Sequence, residues 1–161
     1  MASSEKSLSS FKYSKDKDIK KYHFGIVVSE WNEEVTESMF EGAISTIISM
    51  GGDRDKIIRL NVPGSFELTM GAQHLANQDR IDTVICLGCV IQGETRHFDF
   101  ICQAVAQGIT AVGLKYNKPV IFGVLTTNTL QQALERAGGK YGNRGDEAGA
   151  TAVKMLVTLN G

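Results

Sequence analysis

The sequence predicts an α/β fold in three layers (α/β/α), in which helices pack on both faces of a four-stranded parallel sheet. Short apolar runs rich in β-branched residues alternate four times with segments of helical periodicity, the order expected of parallel βαβ units. One run, "DTVICLGCVI" at residues 82–91, is apolar almost throughout, as expected for a strand at the centre of such a sheet. A length of 161 residues suits one domain with a sizeable core.

Each predicted strand is a short apolar run bounded by turn residues. These runs cover residues 23–29, 56–62, 82–91 and 119–125. Amphipathic segments between the strands predict helices over residues 33–50, 65–77, 97–114 and 146–159. A further helix, capped by Thr126, Thr127 and Asn128, is predicted to end near Ala137. The glycine-rich stretch "GGKYGNRG" is interpreted as a connection between the last two helices.

Composition and charge exclude several classes of function. Seventeen basic and eighteen acidic residues give a net charge of −1, which argues against nucleic acid as the main partner. The longest apolar stretch, residues 83–91, is too short to cross a bilayer, which takes about 20 residues. Residues 1–20 are Ser-rich and then charged, and we predict a flexible tail before a domain spanning residues 21–161. The tail has no apolar h-region, so a cytoplasmic location is expected.

The cysteines are predicted to be structural. Cys86 and Cys89 stand three positions apart in a predicted strand, so their side chains should point to opposite faces of the sheet. A shared metal or a disulfide between them is therefore disfavoured, and Cys102 lies on a helix. We expect buried small hydrophobic side chains and no metal site.

The carboxyl ends of the predicted strands mark the expected ligand site, because open parallel sheets bind ligands there. In "GCVIQGETRHFDFI", residues 88–101, the spacing of Gly88, Gly93 and Thr95 matches a phosphate-binding P-loop. Glu94 occupies the lysine position of that motif and would repel a nucleotide triphosphate. Two interpretations remain open: a helix N-terminus that binds one small phosphate, and a plain turn capped by Thr95.

Other candidate side chains each have a functional and a structural interpretation. His97 falls in the first turn of its helix, where the dipole favours a neutral imidazole, so it is either a general base and acid or a packing residue. Trp31 either stacks on a flat heterocycle or covers the end of the core. Glu67 either accepts hydrogen bonds from substrate hydroxyls or complements a helix dipole. Unless the protein assembles, Phe122 is expected in the core and Arg136 on the surface.

Four collinear segments together resemble the lumazine synthase family from about residue 22 to the C-terminus. They are "VPGSFEL" (62–68), "GCVIQGETRHFDFI" (88–101), "PVIFGVLTTNTLQQALERAG" (119–138) and "GNRG" (142–145). The resemblance implies a flavodoxin-like fold. It also implies an enzyme without metal or organic cofactor that condenses 5-amino-6-(D-ribitylamino)uracil with 3,4-dihydroxy-2-butanone 4-phosphate. The product is 6,7-dimethyl-8-ribityllumazine, the precursor of riboflavin.

The same resemblance assigns roles to individual residues. His97 matches the catalytic position, and the phosphate would be bound by Glu94, Thr95 and a neighbouring subunit's Arg136. The positions that match the ribitylaminouracil site are Trp31, Ser65, Phe66, Glu67, Cys89, Val90, Ile91, Phe122 and Arg144. Phe122 would come from an adjoining subunit. Many members carry lysine where Arg144 stands, so the charge is kept while its geometry differs.

The family's sites lie between adjacent subunits of a pentamer, and some members assemble twelve pentamers into an icosahedral capsid. The short connection before Arg144, without an insertion, resembles that of the capsid-forming members. The N-terminal tail is expected to pair with a neighbouring subunit's sheet. Riboflavin synthase is a further candidate partner. Two competing hypotheses are a flavin-binding or storage protein and a shell protein with a vestigial site.

Overall fold

The computed structural model describes residues 18–160, and within that range a four-stranded parallel sheet lies between two layers of helices. The strands are β1 (Phe24–Ser29), β2 (Ile57–Val62), β3 (Thr83–Ile91) and β4 (Val120–Thr127). The helices are α1 (Glu33–Ser49), α2 (Leu68–Ala76), α3 (His97–Tyr116), α4 (Leu130–Leu134) and α5 (Arg144–Asn160). The strand order is β2-β1-β3-β4, so the predicted three-layer, flavodoxin-like fold is confirmed.

Each face of the sheet has its own apolar core. Helices α1 and α5 pack on one face and α2 and α3 on the other, which accounts for the apolar character of the central strands on both sides. Cys86 and Cys89 belong to the two different cores, as the strand alternation predicted. Both thiols are buried, and burial raises the pKa of Cys86 to about 12 and that of Cys89 to about 11. The three cysteines are free.

Local structure departs from the prediction at two connections. Residues Ser65–Glu67 form a 3-10 turn, and the α-helix predicted from residue 65 begins only at Leu68. Helix α4 is capped by Thr129, whose Oγ1 accepts a hydrogen bond from the Gln132 N–H at 3.2 Å, because residues 126 and 127 still belong to β4.

The glycine-rich connection also has regular structure. It contributes to a short antiparallel hairpin of β5 (Ala137–Gly139) and β6 (Gly142–Asn143). Gly138 and Gly142 have φ of 105° and 82°, conformations that glycine adopts without strain and that make this tight hairpin accessible. Helix α4 is therefore shorter than predicted, because the chain enters β5 at Ala137.

The start of the described chain is packed against the core. A 3-10 turn at Ile19–Lys21 places Ile19, only 2% exposed, among the side chains between the sheet and α1. The predicted flexible tail and its pairing with a neighbour lie outside the described residues, except for residues 18–20. No helix in residues 18–160 is long and apolar enough to span a membrane.

Candidate active site

A cleft opens at the carboxyl end of the sheet because its strands have unequal lengths. Strand β1 pairs with β3 only as far as Leu87, whereas β3 continues beside β4 to Ile91. After β1 the chain turns along the end of β2, where the Trp31 N–H donates to the Pro63 carbonyl at 3.1 Å. The resulting cleft has a volume of about 320 Å³ and is lined by Trp31, Asn32, Ser65, Cys89, Val90, Ile91, His97 and Ile101.

Six of the predicted site residues line this one cleft: Trp31, Ser65, Cys89, Val90, Ile91 and His97. Sequence reasoning missed Asn32 and Ile101. A signal for Ile101 was present, since it follows His97 by one helical turn and therefore shares its face of α3. Asn32 follows Trp31 directly at the end of β1, but nothing in the sequence indicates what its amide contacts.

Two lining side chains are left available for a ligand. Trp31 is 73% exposed, so its indole does not cover the end of the core. Ser65 is only 7% exposed, and its Oγ has no hydrogen-bond partner within the part of the chain that the structure describes. Buried hydroxyls are normally paired, so an unpaired one in a cleft can bond to a bound molecule. The cleft therefore offers an aromatic face and a free hydroxyl.

The turn between β3 and α3 is open to solvent. Residues 92–97 are exposed, and a Cβ added at Gly93 would meet nothing within 4 Å. The His97 N–H donates to Thr95 Oγ1 at 3.4 Å, a long bond that is nevertheless the kind of contact a capping threonine makes. Arg96, the N-cap residue, makes no side-chain capping bond, and no hydrogen bond within residues 18–160 uses the N–H of Arg96 or Phe98, so these two donors can bind an anion.

The remaining candidates do not line the cleft of a single chain. Phe66 and Glu67 follow Ser65 in the 3-10 turn, and Glu94 and Thr95 precede His97. Phe122 is 42% exposed on β4, so its predicted place in the core is wrong. Phe122 pairs in register with Cys86 and shares its face of the sheet, but β4 is an edge strand, where its side chain is only partly covered.

Two arginines have partners within their own chain, away from the cleft. Arg136 Nη1 donates to the Gln132 carbonyl at 3.0 Å, and its guanidinium lies 4.7 Å from the centre of the Tyr141 ring. Arg144 forms an ion pair with Glu147 in the first turn of α5. These contacts hold both side chains near the end of the β5–β6 hairpin. Across residues 18–160 no group of three or more histidine, cysteine or acidic side chains is arranged to hold a metal ion.

Comparison with known proteins gives one consistent answer. The family model described as 6,7-dimethyl-8-ribityllumazine synthase matches residues 21–160. The protein of that name from Cytophaga hutchinsonii is 60% identical over 97% of this chain and 98% of its own length. Those from Parabacteroides distasonis and Porphyromonas gingivalis are 49% and 50% identical, covering 97% and 96% of this chain and 98% and 96% of their own. This chain therefore belongs to the 6,7-dimethyl-8-ribityllumazine synthase family.

Proposed function

We infer that this chain condenses 5-amino-6-(D-ribitylamino)uracil with 3,4-dihydroxy-2-butanone 4-phosphate. The products are 6,7-dimethyl-8-ribityllumazine, inorganic phosphate and water, in the penultimate step of riboflavin biosynthesis. Family membership supports this reaction. The structural observation that carries it is the cleft, in which an exposed indole, an unpaired buried hydroxyl, the end of a strand and a histidine meet.

The pyrimidine substrate is proposed to occupy the part of the cleft next to Trp31. Its ring stacks on the exposed indole, and the backbone of residues 89–91 recognises its polar edge. Ser65 Oγ donates to or accepts from the ribityl hydroxyls, the Glu67 carboxylate accepts hydrogen bonds from them, and Phe66 lies beside both. The unpaired state of the Ser65 hydroxyl supports this assignment, since a ligand would satisfy it.

The sugar phosphate is proposed to lie at the start of α3. Backbone N–H groups around Glu94 and Thr95 bind its phosphate, aided by the partial positive charge of the helix N-terminus. Because the Glu94 carboxylate would repel the anion, it must point away. Arg136 of a neighbouring subunit supplies the positive charge that this turn lacks.

His97 is proposed to move the protons of the reaction. The 5-amino group of the pyrimidine attacks the ketone and one water is lost to form an imine, the phosphate is then eliminated, and the ribitylamino nitrogen closes the ring with loss of a second water. Each step requires a proton to be removed or delivered, which an imidazole at the edge of the cleft can do in turn. Amine and ketone are reactive by themselves, so the enzyme is a transferase that works without metal or organic cofactor and gains much of its rate by holding both substrates in register.

The complete site is proposed to form between subunits. Phe122 is exposed on the edge strand β4. We assign it to the neighbour's pyrimidine site, where it covers the face of the pyrimidine ring opposite Trp31. We assign Arg136 to the neighbour's phosphate site and Arg144 to a pyrimidine site of the assembled protein, since neither lines the cleft of its own chain. The assembly is a pentamer in the cytoplasm, with twelve pentamers in an icosahedral capsid and riboflavin synthase as a candidate partner.

The rate of lumazine formation tests the proposed reaction. Purified protein is mixed with both substrates and absorbance is compared with an enzyme-free reaction at the same concentrations. The proposed function requires a rate well above background that depends on the phosphate substrate. A background rate from folded protein, together with tight riboflavin binding, would instead support the second candidate, a flavin-binding protein with the same aromatic face exposed.

A further inference from the structure

The open end of β3 needs a hydrogen-bond donor that the sheet does not provide. Beyond Leu87, β3 is paired only with β4. Backbone groups alternate in direction along a strand, and the Gln92 N–H donates toward β4, to the Thr127 carbonyl at 2.8 Å. The carbonyl of Cys89, an odd number of residues away, therefore points to the opposite side, where β1 has already ended.

Asn32 provides that donor. Its side-chain Nδ2 donates to the Cys89 carbonyl at 3.0 Å, joining residues 57 positions apart. Although Asn32 is the N-cap residue of α1, its side chain makes no capping bond. The backbone carbonyl of Asn32 accepts hydrogen bonds from the N–H groups of Val35 and Thr36. Its side-chain amide is not used for capping and makes the contact with β3.

The backbone of Asn32 is suited to this task. Its φ of 62° and ψ of 47° are left-handed, a conformation that asparagine and glycine adopt more readily than other residues. The left-handed turn lets the chain leave β1, expose Trp31 and enter α1 within a few residues. Asn32 thus combines a required backbone conformation with a required side-chain donor, and these two roles can be separated by substitution.

We propose that Asn32 is a positioning residue for the pyrimidine substrate: its amide fixes the Cys89 carbonyl, so that the backbone of residues 89–91 meets the ring stacked on Trp31. This inference rests on the proposed function, because it assumes that the pyrimidine binds at that backbone. The sugar phosphate is proposed to bind at the Glu94–Thr95 turn, and no hydrogen bond within residues 18–160 joins that turn to Asn32. Loss of the amide should therefore affect one substrate and not the other.

Substitution of Asn32 by glycine isolates the side chain, since glycine keeps the left-handed turn and removes the donor. For Asn32→Gly, the loss of one hydrogen bond predicts an increase of about two- to tenfold in KM for the pyrimidine substrate. KM for the phosphate substrate should stay within about twofold. Asn32→Asp keeps the shape but replaces the donor by an acceptor facing the carbonyl, so its defect should be larger. The matched control is Asn117→Gly. Asn117 is also left-handed (φ 50°) but lies at the C-terminal end of α3, whereas the cleft lies at the N-terminal end.

Trp31, the only tryptophan in the sequence, gives a binding measurement that does not depend on turnover. Quenching of its fluorescence by the pyrimidine substrate alone should yield a Kd that rises in Asn32→Gly and is unchanged in Asn117→Gly. An unchanged Kd and KM in Asn32→Gly and Asn32→Asp would overturn the inference, as would an equal rise in KM for both substrates. A wild-type chain with neither quenching nor turnover would instead refute the proposed function itself.

Discussion

Two residues at the cleft carry groups that the folded chain leaves exposed or unpaired. Trp31 has most of its ring in solvent, and the Ser65 hydroxyl is buried without a partner. Exposed aromatic area and unpaired buried polar groups both reduce stability, so a protein retains them where a ligand compensates. His97 adds an imidazole, a side chain that serves as general acid and base in many enzymes. These three side chains therefore favour an enzyme over a shell protein with a vestigial site.

Replacement of His97 tests proton transfer. For His97→Ala we predict a fall in kcat of about tenfold to a hundredfold, below the upper range of general acid–base catalysis, because substrate alignment supplies much of the acceleration. The rate of lumazine formation at saturating substrates measures this. His74→Ala, on the exposed side of α2, is the matched control and should leave kcat unchanged. A wild-type rate in His97→Ala would remove the acid–base assignment.

Sequence and structure agree where a residue's place depends on strand ends, and differ where it depends on sheet order or long-range contacts. Cys89 and His97 could be placed at the cleft because parallel strands bring their carboxyl ends to one edge. The exposure of Phe122 could not be predicted, because it depends on β4 being an edge strand. The residues around Phe122 do not indicate the order of the strands in the sheet. The partner of Asn32 lies 57 positions away, beyond any local signal.

At the level of elements, α1 and α5 approach each other more closely than side chains would allow. A Cβ at Gly145 would overlap the backbone carbonyl of Met39 on α1, and one at Gly149 would lie 2.7 Å from the carbonyl of Ala43. Helix α5 begins directly after the β5–β6 hairpin. Its close packing on α1 therefore also fixes the position of the hairpin, with Arg136 before it and Arg144 after it.

Gly145→Ala is therefore predicted to destabilise the fold. The overlap is with backbone, which cannot move aside as a side chain can, so the free energy of unfolding should fall by about 2 kcal/mol or more. Thermal or urea unfolding measures the change. Gly93→Ala serves as the control, because a methyl group there would meet nothing within 4 Å and should be tolerated. Equal stability of the two variants would show that α1 and α5 separate at little cost.

The elements also show which parts of the fold a local pattern predicts well. Helix α1 was predicted within a residue because its apolar period is regular over four turns. Helix α4 is shorter than the sequence predicts, and the glycine-rich connection that follows it forms part of a hairpin that the local pattern does not indicate. Turn residues indicate that the chain changes direction, but not which tertiary pairing follows.

The proposed active site takes residues from two neighbouring copies of the chain. His97 lines the cleft of its own chain, whereas Arg136 is held away from it by contacts with Gln132 and Tyr141. If both act on one substrate, they must come from different subunits. Heterologous contacts of this kind form a ring when the rotation from one subunit to the next closes, as the proposed pentamer requires.

Mixed assemblies of two variants with reduced activity test the shared site. His97→Ala and Arg136→Ala subunits, co-expressed, should give activity above either variant alone, because about a quarter of the sites in a randomly mixed ring would hold both wild-type residues. Each variant assembled separately provides the baseline, measured at low phosphate substrate. Activity equal to the mean of the two baselines would mean that both residues act within one chain.

The proposed condensation releases lumazine and phosphate together, and a single reaction can measure both products. The chain, shown by scattering to be assembled, is incubated with both substrates, and the enzyme-free background is subtracted for each product. We predict that lumazine and inorganic phosphate appear at equal rates well above background, and that both stop when either substrate is omitted. Rates at background from the assembled protein would contradict the account, leaving the fold intact but the cleft without the proposed reaction.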